Sequence, residues 1–256
     1  MANFIEQPVD FLNAKKERLL GVLTLPKYIT NLPALIICHG FSRNKSERKF
    51  VELSRYIANK GIAVLRFDFA GRGESEGDFG KTDISKEASD LALAFNFLSK
   101  QKRVNANRIA ILGHSLAGLV AILFQRQYQK ANTLILLAPA LQQNDLVKQW
   151  YTPKQIALWQ KQGYLDTAKG RLGVKYLREA LALDWQEAVA KIKCPVLVLH
   201  GKDDEDVPLK YAKSLFNELK AEKQIVVVEQ TDHSFESEQA KQTLCKTTTR
   251  WLQKYL

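Results

Sequence analysis

The chain mixes short apolar runs with longer stretches in which apolar residues return every three or four positions. Runs of four to eight mark strands, and the 3.6-residue rhythm marks amphipathic helices. Residues 4–12 and 18–25 alternate or run apolar around the polar turn Asn13-Ala-Lys-Lys-Glu17, which predicts a hairpin. Leu35–Cys38 predicts a short strand that ends abruptly at His39-Gly40-Phe41. Ser46 to Lys60 predicts a helix, with Phe50, Leu53, Tyr56 and Ile57 on one face and Gly61 as its stop. A strand over Ile62–Phe69 and a helix over Asp83–Lys100 follow, then a strand at Ile109–Leu112 and a helix over Leu116–Tyr128. Thr133–Ala138 reads as a strand stopped by Pro139. The last third predicts strands at Pro195–Leu199 and Ile225–Val228, a helix over Leu209–Glu222, and a closing helix from about Glu236.

Strands alternating with helices at this spacing imply βαβ units: one α/β domain over 1–256, with a mostly parallel sheet of about eight strands covered by helices on both faces. Residues 140 to about 190 break the rhythm. They show no clear strand and hold Trp150, Tyr151, Trp159, Tyr164, Tyr176 and Trp185. A helical lid over the carboxyl ends of the strands is expected there, where open α/β sheets bind ligands. Most of these aromatics are expected to pack the lid onto the body. Trp150 and Trp159, with Phe41, are the candidates for walls of a substrate pocket.

Composition narrows the class. Hydrophobic residues are 46% and charged residues 25% of the 256, the balance of a soluble globular protein. No apolar run approaches the ~18 residues of a membrane span. The segment Met1-Ala-Asn-Phe-Ile-Glu-Gln-Pro8 lacks the basic and apolar regions of a secretory signal. Cys38, Cys194 and Cys245 are odd in number and far apart, which favours free thiols in a reducing, cytoplasmic setting over disulfides or a metal site. The net charge of +11 is spread along the chain, with its densest clusters in predicted turns and no nucleic-acid motif beside them. It reads as solvated surface charge, so no nucleic-acid partner is expected. A homodimer is left open.

The chemistry concentrates in Arg108-Ile-Ala-Ile-Leu-Gly-His-Ser-Leu-Ala-Gly118. A buried strand runs into a helix with room only for a tight turn, and Ser115 sits at its apex. A serine flanked by small residues between strand and helix is a nucleophile elbow. Gly113 and Ala117 lie where the two backbones approach most closely, and Ala117 stands where glycine is commoner. Gly73-Glu-Ser-Glu-Gly77 matches the glycine–serine–glycine pattern literally, better than the elbow does, but no apolar helix follows it. Its two carboxylates would also oppose a developing oxyanion, so Ser75 is expected to be a loop residue.

A serine hydroxyl needs a base, and the base needs an orienting acid. Of the four histidines, His114 adjoins Ser115, while His39 and His200 each close a strand before glycine, where a structural bond to loop backbone is the ordinary role. His233 lies in a loop after the last apolar strand and is the expected base. Chain order places the acid after the preceding strand, among Asp203, Asp204 and Asp206. These acids lack the spacing of a calcium loop, so neither metal nor cofactor is expected. Two backbone N–H groups are needed for an oxyanion, and the expected donors are Leu116, after the nucleophile, and Phe41, after the third strand.

His39-Gly-Phe41, Asp68-Phe-Ala-Gly-Arg-Gly-Glu-Ser75, Gly113-His-Ser-Leu-Ala117, His200-Gly-Lys-Asp-Asp-Glu-Asp-Val-Pro208 and Asp232-His-Ser-Phe235 occur in the order seen in α/β-hydrolases. The chain most resembles small bacterial esterases related to cinnamoyl (feruloyl) esterases, and the serine aminopeptidase-like hydrolases. The resemblance is weakest over 140–190. It implies an α/β-hydrolase fold, makes Asp204 the acid through the pattern His-Gly-x-x-Asp-x-x-Val-Pro, and makes the Asp68 segment a structural loop. Together with the elbow it points to a carboxylesterase acting on small acyl or aromatic esters through Ser115, Asp204 and His233. A peptidase or thioesterase on the same fold is the nearest alternative, and a non-catalytic ligand receptor a more distant one.

Overall fold

A computed structural model describes residues 3–168 and 170–256. The chain begins with two strands, β1 (Phe4–Leu12) and β2 (Arg18–Pro26), and continues through β3 (Leu32–Cys38), α1 (Arg48–Ala58), β4 (Ala63–Phe67) and α2 (Ile84–Ser99). Next come β5 (Val104–His114), α3 (Leu116–Tyr128) and β6 (Leu134–Leu137). The insertion carries α4 (Gln143–Trp150), α5 (Pro153–Gln162), β7 (Tyr164–Thr167), β8 (Gly170–Gly173), α6 (Val174–Ala182) and α7 (Trp185–Ala190). The chain closes with β9 (Val196–Gly201), α8 (Leu209–Glu218), β10 (Lys223–Val228) and α9 (Glu238–Tyr255).

Eight strands form one sheet in the order β1-β2-β4-β3-β5-β6-β9-β10. The β1/β2 and β2/β4 pairs are antiparallel, and every other pair is parallel. The central strands are buried on both faces, so their sequences are almost wholly apolar. Pleating deals their side chains alternately to two core layers. Ala34, Ile36, Ile109 and Ile111 face the layer under α2 and α3, which holds Leu91, Phe95, Leu119 and Phe124. Leu35, Ile37, Ala110 and Leu112 face the other layer, which holds Phe50 and Ile57 of α1 with Leu244 and Leu252 of α9. This is an α/β-hydrolase arrangement, with helices on both faces of a mostly parallel sheet.

The insertion departs from the expectation of an all-helical lid: β7 and β8 form an antiparallel hairpin. Its four-residue strands show only one buried apolar residue each, Leu165 and Leu172, too short a run to display a period. Tertiary packing selects it instead. A Cβ on Gly173 would lie 2.6 Å from the Gly80 carbonyl, so the hairpin is seated directly on the loop after β4. Helix α8 also stops earlier than its periodicity suggests. Leu219 leaves the helical region, and the Lys223 ammonium takes up the carbonyls of Phe216 and Leu219.

Among the described residues no helix is long and apolar enough to cross a membrane.

Candidate active site

Ser115 lies between the last residue of β5 and the first of α3, with φ 57° and ψ −122°. An L-residue adopts this conformation only when its surroundings enforce it, at a cost of ~1–3 kcal/mol. The enforcing contacts are explicit. The Ser115 N–H donates to the Leu137 carbonyl at 2.9 Å, and the Ser115 carbonyl accepts from Gly118 and Ala140 N–H groups at 2.9 and 3.0 Å. A Cβ on Gly113 would sit 2.2 Å from the Ala117 carbonyl oxygen, so only glycine fits beneath the turn. Ala117 itself is accommodated, fully buried.

Asp204 follows β9 and His233 follows β10, parallel neighbours in the sheet. Asp204 is buried, with Oδ2 2.8 Å from His233 Nδ1 and Oδ1 accepting from the Val207 N–H at 2.8 Å. The two loops are packed tightly: a Cβ on Gly201 would lie 2.3 Å from the Thr231 carbonyl. Asp232 shapes the histidine loop, accepting from the backbone N–H groups of Ser234 and Phe235 and from the Ser234 hydroxyl. These bonds, the Ser234 hydroxyl foremost, hold its carboxyl below the usual carboxylate range.

The remaining histidines are otherwise occupied. His39 is buried between its own loop's Gly40 carbonyl, 2.9 Å from Nδ1, and the Phe69 N–H, which donates to Nε2 at 3.2 Å. Burial lowers its pKa to about 4. His200 places Nε2 2.7 Å from the Val207 carbonyl and 3.3 Å from Asp204 Oδ2, and burial lowers its pKa too. His114 points Nε2 at the His233 carbonyl, 3.0 Å away. Ser75 joins β2 to the residue that follows β4: its hydroxyl donates to the Asp68 carbonyl at 2.7 Å and accepts from the Leu20 N–H at 2.8 Å.

The loop after β3 passes directly over the elbow. A Cβ on Gly40 would come within 3.1 Å of Ser115 Cβ and 3.2 Å of His114 Nδ1. The Arg43 N–H closes on the Gly40 carbonyl at 3.1 Å, with Ser42 at φ 59°, a turn that needs positive φ at its third residue. Phe41 is the second residue of that turn. Neither its N–H nor that of Leu116 has a hydrogen-bond acceptor among the described residues. For Leu116 the reason is general, because the first N–H groups of a helix have no intrahelical partner.

A cleft of about 310 Å³ opens above these groups, lined by Gly40, Phe41, His114, Ser115, Tyr151 and His233, with Trp150, Arg43 and Asp206 also on its wall. Trp159 is placed differently from the expectation that it lines a pocket. It is fully buried, donates Nε1–H to the Leu172 carbonyl at 3.0 Å, and stacks on Tyr176 behind Tyr151. Its position in α5 turns it into the lid core, and Tyr151 takes the place at the wall. The Phe41 ring packs on Tyr176 and Phe79 and covers the Arg72 guanidinium, 5.0 Å from the ring centre.

Sequence reasoning missed Arg43 and Tyr151 as lining residues. The available signal was adjacency alone, two residues beyond Phe41 and one beyond Trp150. The acids after β9 diverge, Asp204 toward His233 and Asp206 to the cleft, and among the described residues no cluster of three or more His, Cys, Asp or Glu side chains has the arrangement of a metal site.

The family model for serine aminopeptidase, S33, matches residues 31–169. The mitochondrial palmitoyl-protein thioesterase ABHD10 of Mus musculus is 24% identical over 214 residues, covering 78% of this chain and 67% of the relative. The lysophosphatidylserine lipase ABHD12 of Xenopus tropicalis is 26% identical over 196 residues, 73% of this chain, which spans about half (47%) of that relative's length. Among solved structures, Est1E from Butyrivibrio proteoclasticus with bound ferulic acid superposes with a TM-score of 0.85 at 24% identity, covering 96% of this chain and 98% of that one.

Proposed function

Because the chain belongs to the serine aminopeptidase (S33) family of α/β-hydrolases, we propose that it is a carboxylesterase that cleaves small acyl or aromatic esters through Ser115, His233 and Asp204. The observation that carries this reading is that Ser115 and His233 line one cleft while His233 Nδ1 is bonded to buried Asp204 at 2.8 Å. The bond to Nδ1 fixes the tautomer whose Nε2 is free to accept a proton.

Ser115 Oγ attacks the ester carbonyl as its proton passes to His233 Nε2. The oxyanion is held by the N–H groups of Phe41 and Leu116, both free of internal acceptors among the described residues. Collapse breaks the carbonyl–alkoxy bond, and the imidazolium returns its proton to the departing alcohol. Water then attacks the acyl-serine with His233 again as base, releasing acid and Ser115. Asp204 keeps the imidazole oriented and stabilises the imidazolium.

The cleft is at the small end of the ~300–1,000 Å³ range of ligand pockets, and its wall carries Phe41, Trp150 and Tyr151. Both features favour short or aromatic acyl groups over long chains. Similarity to a protein named as a palmitoyl-protein thioesterase supports a second reading, a thioesterase with the same acyl-enzyme chemistry.

The test is hydrolysis of a p-nitrophenyl ester series from acetate to palmitate, with methyl ferulate, an acyl thioester and an aminoacyl anilide alongside, and Ser115→Ala as the blank. Turnover highest on short or aromatic esters is the expected result. Preference for the thioester supports the second reading, and cleavage of the anilide alone overturns both.

A further inference from the structure

His114 ends β5, one residue before Ser115, and its ring is almost completely buried. It packs edge-on to Phe50 of α1, with ring centres 5.9 Å apart, and lies 5.0 Å from the His233 ring at an angle of 32°. Its Nε2 is 3.0 Å from the backbone carbonyl of His233. A carbonyl can only accept, so Nε2 carries the proton and Nδ1 is left as a lone pair. Nδ1 has no partner among the described residues, as that tautomer allows, since an unpaired lone pair costs less than an unpaired N–H. Burial first, then the nearby Lys49 charge and His233, keep this imidazole far below its ordinary pKa. Burial thus favours the neutral ring, with Nε2–H as its fixed donor.

The target of that donor sits in a loop anchored on every other side. Thr231 accepts from the Asp203 N–H, Asp232 closes its own turn, Phe235 is fully buried at φ 55°, and Glu236 lies 3.6 Å from the buried Lys49 ammonium. Among the described residues, only at residue 233 does the backbone of this loop bond to β5, the strand that leads into Ser115, through the His114 side chain. Asp204 orients the His233 ring from the β9 side, while His114 fixes the His233 backbone from β5.

We propose that His114 is a positioning residue: its Nε2–H ties the backbone of the base to the strand of the nucleophile, so that Ser115 and His233 move as one unit. This rests on the reading of Ser115 as nucleophile and His233 as base. Positioning matters because a misplacement of ~1 Å at reacting atoms can cost on the order of 10²-fold in rate.

The experiment compares His114→Gln, His114→Asn and His114→Leu on p-nitrophenyl acetate, with the rate of Ser115 labelling by a fluorophosphonate and the thermal midpoint of each variant. Glutamine carries its N–H the same number of bonds from Cα as histidine Nε2, asparagine one bond short, and leucine carries none. Leucine and asparagine are expected to lose about 10–100-fold in kcat and in labelling rate with KM within about twofold. Glutamine is expected to recover to within a few-fold of wild type. If all three folded variants are equally slow, the ring serves only packing and the proposal falls; it falls equally if all three match wild type. Retained activity in Ser115→Ala would instead overturn the nucleophile assignment.

Discussion

Asp204 faces His233 with one carboxylate oxygen, Oδ2 to Nδ1 at 2.8 Å, and secures its own orientation with the other, which accepts the Val207 N–H at 2.8 Å. The carboxylate thus fixes the imidazole while being fixed itself. Asp204→Asn can keep the Val207 bond through its amide oxygen, but it then presents an N–H toward Nδ1 and favours the wrong imidazole tautomer. A loss of kcat on the order of 10⁴-fold is expected, by analogy with the corresponding change in a serine protease. Steady-state ester hydrolysis checks this, with an unchanged thermal midpoint showing that the fold survives.

Ser115 adopts φ 57° with ψ −122°, which strains any residue bearing a Cβ. Both Ser115→Ala and Ser115→Gly should abolish turnover, by about 10⁶-fold in kcat. They should differ in stability. Glycine relieves strain worth ~1–3 kcal/mol, against an unfolded-state entropy penalty of ~0.5–1 kcal/mol. Ser115→Gly is expected to melt above Ser115→Ala in calorimetry. Equal midpoints would show that the elbow is not strained.

The two tryptophans of the lid should separate stability from specificity. Trp159→Phe removes the 3.0 Å indole donor from the buried Leu172 carbonyl, and a stability loss of about 1–3 kcal/mol is expected. Trp150 lines the cleft and is partly exposed. Trp150→Ala is expected to raise KM for aromatic esters several-fold while barely moving the thermal midpoint. A reversal of these two effects would contradict the placement of the wall.

Ser75 should matter to the fold alone. Removing its hydroxyl leaves the Asp68 carbonyl and the Leu20 N–H without the bonds at 2.7 and 2.8 Å. Ser75→Ala is expected to lower the thermal midpoint with kcat unchanged. A collapse of kcat with an unchanged midpoint would reopen the choice of nucleophile.

Two buried acids make stability depend on pH. Burial raises Glu87 to about 7, with the Asp90 and Asp83 charges pushing the same way and Arg72 opposing, and burial raises Asp90 to about 6. Their ordinary values are 4.5 and 3.8. Between those limits the folded chain binds more protons than the unfolded one, so this contribution is complete below about pH 4 and is lost as pH rises through 6–7. Glu87→Gln cannot ionise. Its thermal midpoint relative to wild type is expected to rise between about pH 5 and pH 8, read by scanning fluorimetry. A pH-independent difference would show that Glu87 is already charged.

Much of this protein was decided by local pattern. The double burial of β3, β5, β6 and β9 imposes continuous apolar runs, and the limits of α3 follow from its 3.6-residue rhythm, so strands, helices and their alternation were legible along the chain. The place of Ser115 at a strand-to-helix turn was legible too, because Gly113 beneath it leaves a sequence trace, and elimination among four histidines singled out His233, which meets Asp204 in the fold. Spacing did not separate Asp204 from Asp203 and Asp206. In the fold, Asp204 meets His233 across two parallel strands whose loops lie 29 residues apart in sequence.

The lid shows the limit most plainly. Trp150 and Trp159 are alike in sequence, both tryptophans of neighbouring amphipathic helices, yet one faces the cleft and the other is sealed against Leu172 and Tyr176. The hairpin at Leu165 and Leu172 forms because it seats on Gly80, and the tie from His114 to the His233 carbonyl spans 119 residues. Sequence patterns record what a segment does with its own neighbours. Which side chain faces a cavity, or which carbonyl a buried imidazole finds, depends on surfaces that meet only once the sheet has closed.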